Sequence, residues 1–139
     1  MRITGYASVF GVPDQIGDVV RAGAFRASLA RLAHTAPMLL EHDLRRPCGS
    51  WRAREDSRGL FVDGVIDRAL PAGRAALRLI EDGLDGLSIG FRARIADPSD
   101  FGRTLVEIDL LEVSLVALPM QPLARLTPAQ ATRPAVLTF

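Results

Sequence analysis

The sequence predicts a mostly antiparallel, closed β-barrel of about six to seven strands, with two or more helices on its outside. Stretches with alternating apolar residues outnumber helical stretches, and the βαβ rhythm of a parallel sheet is absent. The chain has 139 residues, which fits one domain. A domain of that length buries roughly 68–70% of the surface exposed by its unfolded chain, so it can form a core without metals or disulfides.

Six segments have the alternation and composition of β-strands, and turn-rich stretches separate several of them. These strand segments are residues 3–10, 38–42, 49–54, 59–67, 85–95 and 104–118. Residues 43–47 are expected to form a turn between the second and third segments.

Two helices are predicted. In Ala22–Ala33, apolar residues recur at spacings of four and three, which is typical of an amphipathic helix. The second helix, Ala72–Asp82, follows Pro71, a residue favoured at the first helical position, and Gly83 ends it. Residues 1–126 are expected to form the domain, and residues 127–139 a mobile tail.

Composition argues against several classes of partner. The net charge is +1, which favours neither nucleic acid nor an anionic membrane. Cys48 is the only cysteine, so no internal disulfide can form, and no segment looks like a signal peptide or a membrane span. We therefore expect a soluble, intracellular protein.

Few side chains are available for chemistry. The sequence has no glycine-rich phosphate loop, no CxxC pair and no HExxH motif, and two histidines with one cysteine argue against a structural zinc site. We therefore expect no metal and no cofactor. Asp14 and Asp18 are interpreted as solvated turn residues, and Cys48 as a small packed residue rather than a nucleophile.

A serine mechanism needs a hydroxyl, a base and a group that orients the base. His34 ends a predicted helix and is interpreted as a surface residue. His42 ends a buried strand at a polar turn, where it is either a base or a histidine with satisfied hydrogen bonds. From the residues alone, the second interpretation is slightly favoured.

Ser88 lies in the stretch GLSIGF, where Gly86 and Gly90 share its face of the predicted strand. Glycines inside a strand often mark the close approach of another backbone or a ligand, so Ser88 is a candidate nucleophile. The alternative is a bulge or a packing contact beneath a helix.

Glu112 is the candidate for the orienting acid. Strict alternation places it in a row with Ile108, Leu110, Ser114 and Val116, and a buried carboxylate there needs a partner such as a histidine. The alternative is a surface face on which Glu112 meets an arginine. Asp109 is the second choice for the same role.

Four segments of the chain, in this order and spacing, resemble the prohead maturation proteases of tailed phages, a family similar in fold to the herpesvirus assemblin proteases. The segments are GYASVFGVPDQIGDVVRAGAF, MLLEHD, LDGLSIGFR and EIDLLEVSLVALPMQPLAR. The resemblance extends from about Ile3 to Arg125. It implies a herpesvirus protease-like barrel in which Ser88 is the nucleophile and His42 the base. The third member lies on the strand after the serine and is a second histidine in the viral enzymes; in this chain Glu112, on the corresponding strand, is our choice.

The resemblance also places the oxyanion donors in the loop after the last strand, near Met120 and Gln121. This loop reads PMQP where the family usually has a sequence closer to PANP. The implied activity is that of a serine endopeptidase that cuts the scaffolding segment of a major capsid protein during procapsid maturation. Self-cleavage in the tail after Arg125 is implied as well.

By the same resemblance, the protein would act inside the procapsid in the cytoplasm of the bacterial host, and a homodimer follows by analogy with the viral enzymes. The alternative is a catalytically silent barrel that acts as a capsid scaffold or assembly factor.

Overall fold

Alternating apolar residues form strands over half of the described chain, which comprises residues 1–128 of a computed structural model. In chain order the elements are β1 (Arg2–Val9), β2 (Val19–Val20), α1 (Arg26–Arg31), β3 (Thr35–Leu40), β4 (Asp43–Glu55), β5 (Gly59–Ile66), α2 (Pro71–Glu81), β6 (Gly86–Pro98) and β7 (Arg103–Val116). Seven strands and two helices within these residues agree with the predicted mostly-β class.

The long strand β7 organises the sheet. Strands β1, β5, β4 and β3 pair antiparallel in that order, and β3 then pairs with the end of β7 in parallel. Strand β6 pairs antiparallel with the other edge of β7, and the short β2 pairs in parallel with the start of β7. Four of the six strand pairs are antiparallel, in agreement with a mostly antiparallel sheet, and the two parallel pairs are those that β7 makes with β2 and β3.

The sheet curls into a half-barrel and does not close. Within the described residues, β1 and β6 do not pair, because a segment that follows β7 lies between them. Its Ala124 carbonyl accepts the Leu87 N–H at 2.9 Å, and the N–H of Thr127 reaches the Thr4 carbonyl at 2.8 Å. The predicted closed barrel is thus wrong, since irregular chain with isolated bridges stands where a strand pair would be needed.

The core lies inside the curl of the sheet. Its largest fully buried side chains include Trp51 and Phe25. Trp51 Nε1 donates to the carbonyl of Val113 at 3.0 Å, so the one polar atom of this ring is satisfied. Helix α1 contributes Leu29 to the core, and α2 contributes Ala76.

The first helix and the second predicted strand differ from expectation. Residues 22–25 and 32–33 form turns, so α1 is six residues long rather than twelve. Strand β3 begins earlier and ends before Glu41. The predicted turn 43–47 belongs to β4, where Leu40 pairs with Asp43 and Leu39 with Pro47, so that residues 44–46 bulge out unpaired. The turn-like composition of this stretch reflects that bulge.

A second bulge reverses the faces of β7. Gly90 of β6 pairs with Glu112, whereas the next residue, Phe91, pairs with Leu110. Leu111 is therefore an extra residue and lies half exposed. The strict alternation assumed for residues 108–116 is wrong, because Ile108 and Leu110 face the core before the bulge and Val113 and Leu115 face it afterwards. Glu112 and Ser114 consequently face away from the core.

Within residues 1–128, neither helix combines the length and apolar character needed to cross a membrane. Thr127, the first residue of the predicted tail, bonds to Thr4 through main chain and side chain. Residues 129–139 of that tail lie outside the described residues.

The packing of Gly64 gives a test of this core. A Cβ at this position would collide with the Trp51 ring and the Met38 methyl group. We expect Gly64→Ala to lower the free energy of unfolding by about 1–3 kcal/mol, the usual cost of overpacking, as measured by urea denaturation. Val65→Thr, at the exposed neighbouring position, should stay within about 0.5 kcal/mol of wild type. Equal stability of the two variants would contradict this packing.

Candidate active site

The turn between β3 and β4 holds His42 in an unusual backbone conformation. Glu41 and His42 both have positive φ angles, 53° and 59°. Left-handed backbone costs a residue with a side chain roughly 1–2 kcal/mol, so neighbouring contacts must hold the turn. The Glu41 N–H donates to the Leu115 carbonyl at 2.9 Å, and the Ala117 N–H donates to the Glu41 carboxylate at 2.6 Å. The turn is therefore fastened to the end of β7.

His42 and Glu112 form a short hydrogen bond. Nδ1 of His42 lies 2.5 Å from Oε2 of Glu112, whose side chain is buried, while the imidazole is partly exposed. This hydrogen bond to Glu112, opposed by partial burial, raises the pKa of His42 above its ordinary value. The structure thus brings together the two side chains that sequence reasoning paired, although the face argument used for Glu112 was wrong.

Ser114 completes this group, and sequence reasoning gave it no role. It is fully buried, accepts the His42 backbone N–H at 3.0 Å and donates to Glu112 Oε1 at 2.6 Å. The sequence did contain a signal for Ser114: the spacing Glu-x-Ser places two polar side chains side by side on one face of a buried strand.

Ser88 lies directly across β6–β7 from Ser114. Residues paired in this way share a face, with Cβ atoms roughly 4.5–5.5 Å apart. Within residues 1–128 the Ser88 hydroxyl has no hydrogen bond to His42, but both side chains line one cavity of about 150 Å³. A free enzyme often holds such a pair loosely, so the arrangement allows a nucleophile and its base.

The two glycines beside Ser88 serve packing rather than open space. A Cβ at Gly90 would collide with the carboxylate of Glu112, and one at Gly86 would press on the Val116 carbonyl and the Pro119 ring. The glycine pattern was therefore an informative signal. Its physical reason is the room that Glu112 and the loop after β7 require.

The loop after β7 brings Met120 and Gln121 to the same cavity. The buried Gln121 side chain fastens the loop, because its Oε1 accepts the Val9 N–H at 2.6 Å and its Nε2 donates to the carbonyls of Val9 and Val12. Among the described residues, the backbone N–H groups of Met120 and Gln121 have no acceptor. These two N–H groups remain available to a ligand.

Two other candidates lie apart from His42. Asp109 forms ion pairs with Arg31 and with Arg94, so the structure does not bring it to the imidazole. Cys48 is fully buried, and burial raises the pKa of its thiol to about 11, which suppresses the reactive thiolate. His34 is exposed, as predicted.

The acidic loop before β2 differs from expectation. Asp18 is buried and pairs with Arg103, Nη2 to Oδ2 at 2.8 Å, so its interpretation as a solvated turn residue is wrong. Asp14 accepts the backbone N–H groups of Ile16 and Asp18, which shapes the loop beside the cavity. Within the part of the chain that the structure describes, no three acidic, histidine or cysteine side chains are grouped as a metal site.

Comparison with known proteins finds a family model and a curated relative that are both described as prohead proteases. The family model described as caudovirus prohead serine protease matches residues 1–136. The prohead protease of Enterobacteria phage HK97 is 31% identical over 121 residues, which are 83% of this chain and 54% of that protein. The chain therefore spans about half the length of this curated relative.

Solved structures share the fold at low sequence identity. The capsid assembly protease of bacteriophage T4 has a TM-score of 0.67 at 12% identity, covering 83% of this chain and 80% of that one. The varicella-zoster virus protease has a TM-score of 0.58 at 16% identity, covering 91% and 62%. These likenesses support a herpesvirus protease-like half-barrel. Because the family model matches residues 1–136 of this 139-residue chain, the chain belongs to the caudovirus prohead serine protease family.

Proposed function

We propose that this protein is a serine endopeptidase in which Ser88 is the nucleophile, His42 the general base and Glu112 the group that orients His42. The observation that carries the proposal is the hydrogen bond between His42 and Glu112 one strand away from Ser88, on the same face of the sheet. Membership of a protease family supports the same activity.

The first chemical step would be acyl transfer. Nε2 of His42 accepts the Ser88 proton as Oγ bonds to the carbonyl carbon of a peptide, and Glu112 remains ionised to stabilise the imidazolium. The N–H groups of Met120 and Gln121 would donate to the oxyanion, and losing one such donor typically costs about 10²–10³ in rate. Neither N–H group has an acceptor within residues 1–128, which supports this assignment.

The second step would release the product. His42 returns its proton to the leaving amine, the C–N bond breaks, and Ser88 is left acylated. Water then attacks the ester with His42 again acting as base, which frees the new carboxylate and restores the serine.

The substrate we propose is the scaffolding segment of a major capsid protein, cut inside an immature capsid in the cytoplasm of the bacterial host. The names of the relatives, a prohead protease and a capsid assembly protease, support a capsid-associated polypeptide. The homodimer suggested by analogy stays a prediction.

Self-cleavage in the tail after Arg125 remains part of the proposal, and the contacts of Arg125 bear on where in that tail the cut would lie. Arg125 lies in the segment between β1 and β6, where it bridges to Gly86 and pairs with Asp85 at 2.7 Å, and the next N–H donates to the Asp85 carbonyl at 2.8 Å. An extended substrate backbone must be free to enter the site, and this segment is bonded on both sides. A cut directly after Arg125 is therefore disfavoured.

Ser88→Ala tests the nucleophile. We expect wild type to react with a fluorophosphonate probe and to cut a co-expressed capsid precursor, and the variant to do neither, because it lacks the proposed nucleophile, the Ser88 hydroxyl that shares a cavity with His42. Labelling is read by intact-protein mass spectrometry, and cleavage by gel analysis.

Two matched variants complete that experiment. Ser50→Ala removes an exposed hydroxyl elsewhere in the sheet, and Cys48→Ala removes the only thiol. Both should react and cut as wild type does. A precursor left intact by wild type would favour the silent scaffold, and activity lost in Cys48→Ala would favour a cysteine mechanism.

Glu112→Gln tests the origin of the raised His42 pKa. His42 must be neutral to accept a proton, so kcat/KM of wild type should rise with pH through a midpoint above about 6.5, the ordinary histidine value. Removing the carboxylate lowers that pKa, so the midpoint should move down. The plateau should also fall, by as much as about 10⁴-fold where the wrong tautomer is favoured.

Asp109→Asn is the matched control for this pH profile. Asp109 meets Arg31 and Arg94 rather than His42, so its loss should leave both midpoint and plateau close to wild type. A shift of the midpoint in Asp109→Asn but not in Glu112→Gln would assign the third member to Asp109.

A further inference from the structure

The Ser114 hydroxyl stands between the three proposed catalytic residues. Its oxygen accepts the backbone N–H of His42, its proton goes to Oε1 of Glu112, and its residue pairs across the sheet with Ser88. A hydroxyl has one proton and can accept from other donors. Because the carboxylate only accepts and the N–H only donates, the direction of both hydrogen bonds is determined.

These hydrogen bonds determine which nitrogen of the His42 imidazole carries the proton. With Oε1 of Glu112 occupied by Ser114, Oε2 is the oxygen that faces Nδ1 of His42, at 2.5 Å. An ionised carboxylate can only accept, so Nδ1 carries a proton. In neutral His42, Nε2 is then the nitrogen with a free lone pair, as a base acting on Ser88 requires.

Among the described residues, Ser114 and His42 are the only hydrogen-bond donors to the Glu112 carboxylate. Gly90, its partner across the sheet, has no side chain that could restrain it, and no other side chain within residues 1–128 donates to it. Glu41, the other acid close to His42, accepts the Ala117 N–H.

We propose that Ser114 is a positioning residue that keeps Glu112 oriented and thereby holds His42 in the Nδ1–H tautomer with its ring turned toward Ser88. The effect on His42 stands on geometry alone, whereas its consequence for the rate rests on the proposed function. Ser114 would not touch the substrate, since it is fully buried and acts through its two neighbours.

The test compares Ser114→Ala with wild type by ¹⁵N NMR of the histidine side chains, with His34→Gln used to assign the two imidazoles. In neutral wild-type His42 we expect the Nδ1–H tautomer alone. In Ser114→Ala we expect a mixture of both tautomers. With a peptide substrate, kcat should fall by about tenfold to a hundredfold, as with other outer partners of functional histidines, while KM changes little.

Ser28→Ala is the matched control. Ser28 is also buried, and its hydroxyl accepts a backbone N–H of β7, that of Leu110 at 2.8 Å, but its side chain forms no hydrogen bond with His42 or Glu112. It should lose stability as Ser114→Ala does, yet keep both the tautomer and kcat. A similar fall of kcat in both variants would indicate a structural role and overturn the proposal.

Ser114→Cys keeps the inference testable if the alanine variant does not fold. A thiol is a weak donor of similar size, so this variant should show an intermediate tautomer ratio and an intermediate kcat. A single Nδ1–H tautomer in every folded Ser114 variant would overturn the proposal. If wild type and all variants fail to cut peptide but the tautomer changes as expected, the proposed function fails and the positioning role stands.

Discussion

The parallel pairing of β3 with the end of β7 is the contact on which the candidate site depends. It places Met38–Leu40 beside Val113–Leu115, so the turn that follows β3 arrives at Ser114. Strand β6 pairs with the opposite edge of β7 and brings Ser88 to the same place. The proposed base and nucleophile, 46 positions apart in the sequence, thus become neighbours through one shared strand. The left-handed backbone of the turn is tolerable because Ser114 and Leu115 of β7 accept, and Ala117 directly after β7 donates, the hydrogen bonds that hold it.

The bulge at Leu111 determines which side chains of β7 face the core and which face outward. Without it, Glu112 would follow Ile108 and Leu110 into an apolar core, where an ionised carboxylate is costly unless it is paired. The extra residue turns Glu112 and Ser114 outward while Val113 and Leu115 keep the core continuous. One inserted residue therefore lets the same strand build both the core and a hydrogen-bonded polar group. Bulges commonly re-aim side chains in this way.

The open edge of the half-barrel shapes the remainder of the site. Between β1 and β6, the segment that follows β7 fills one part of the gap, and the cavity beside Ser88 and His42 occupies another. Gln121 joins the two parts, because its amide bonds to the end of β1 while its backbone borders the cavity. The chain after the last strand thus fills part of the gap between β1 and β6 and also contains the proposed oxyanion donors.

The sequence by itself determined the mostly-β class, the two helices and the succession of six of the seven strands along the chain, because periodicity and turn residues are local properties. It also singled out Ser88, His42 and Glu112, since isolated polar residues in apolar stretches are visible in one dimension, and the family resemblance was confirmed. Only the tertiary structure decided that the sheet stays open, that β3 and β7 run parallel and that Ser114 links His42 to Glu112. Strand pairing, bulges and hydrogen bonds between residues about 70 positions apart depend on which strands meet, and local sequence patterns do not encode that choice.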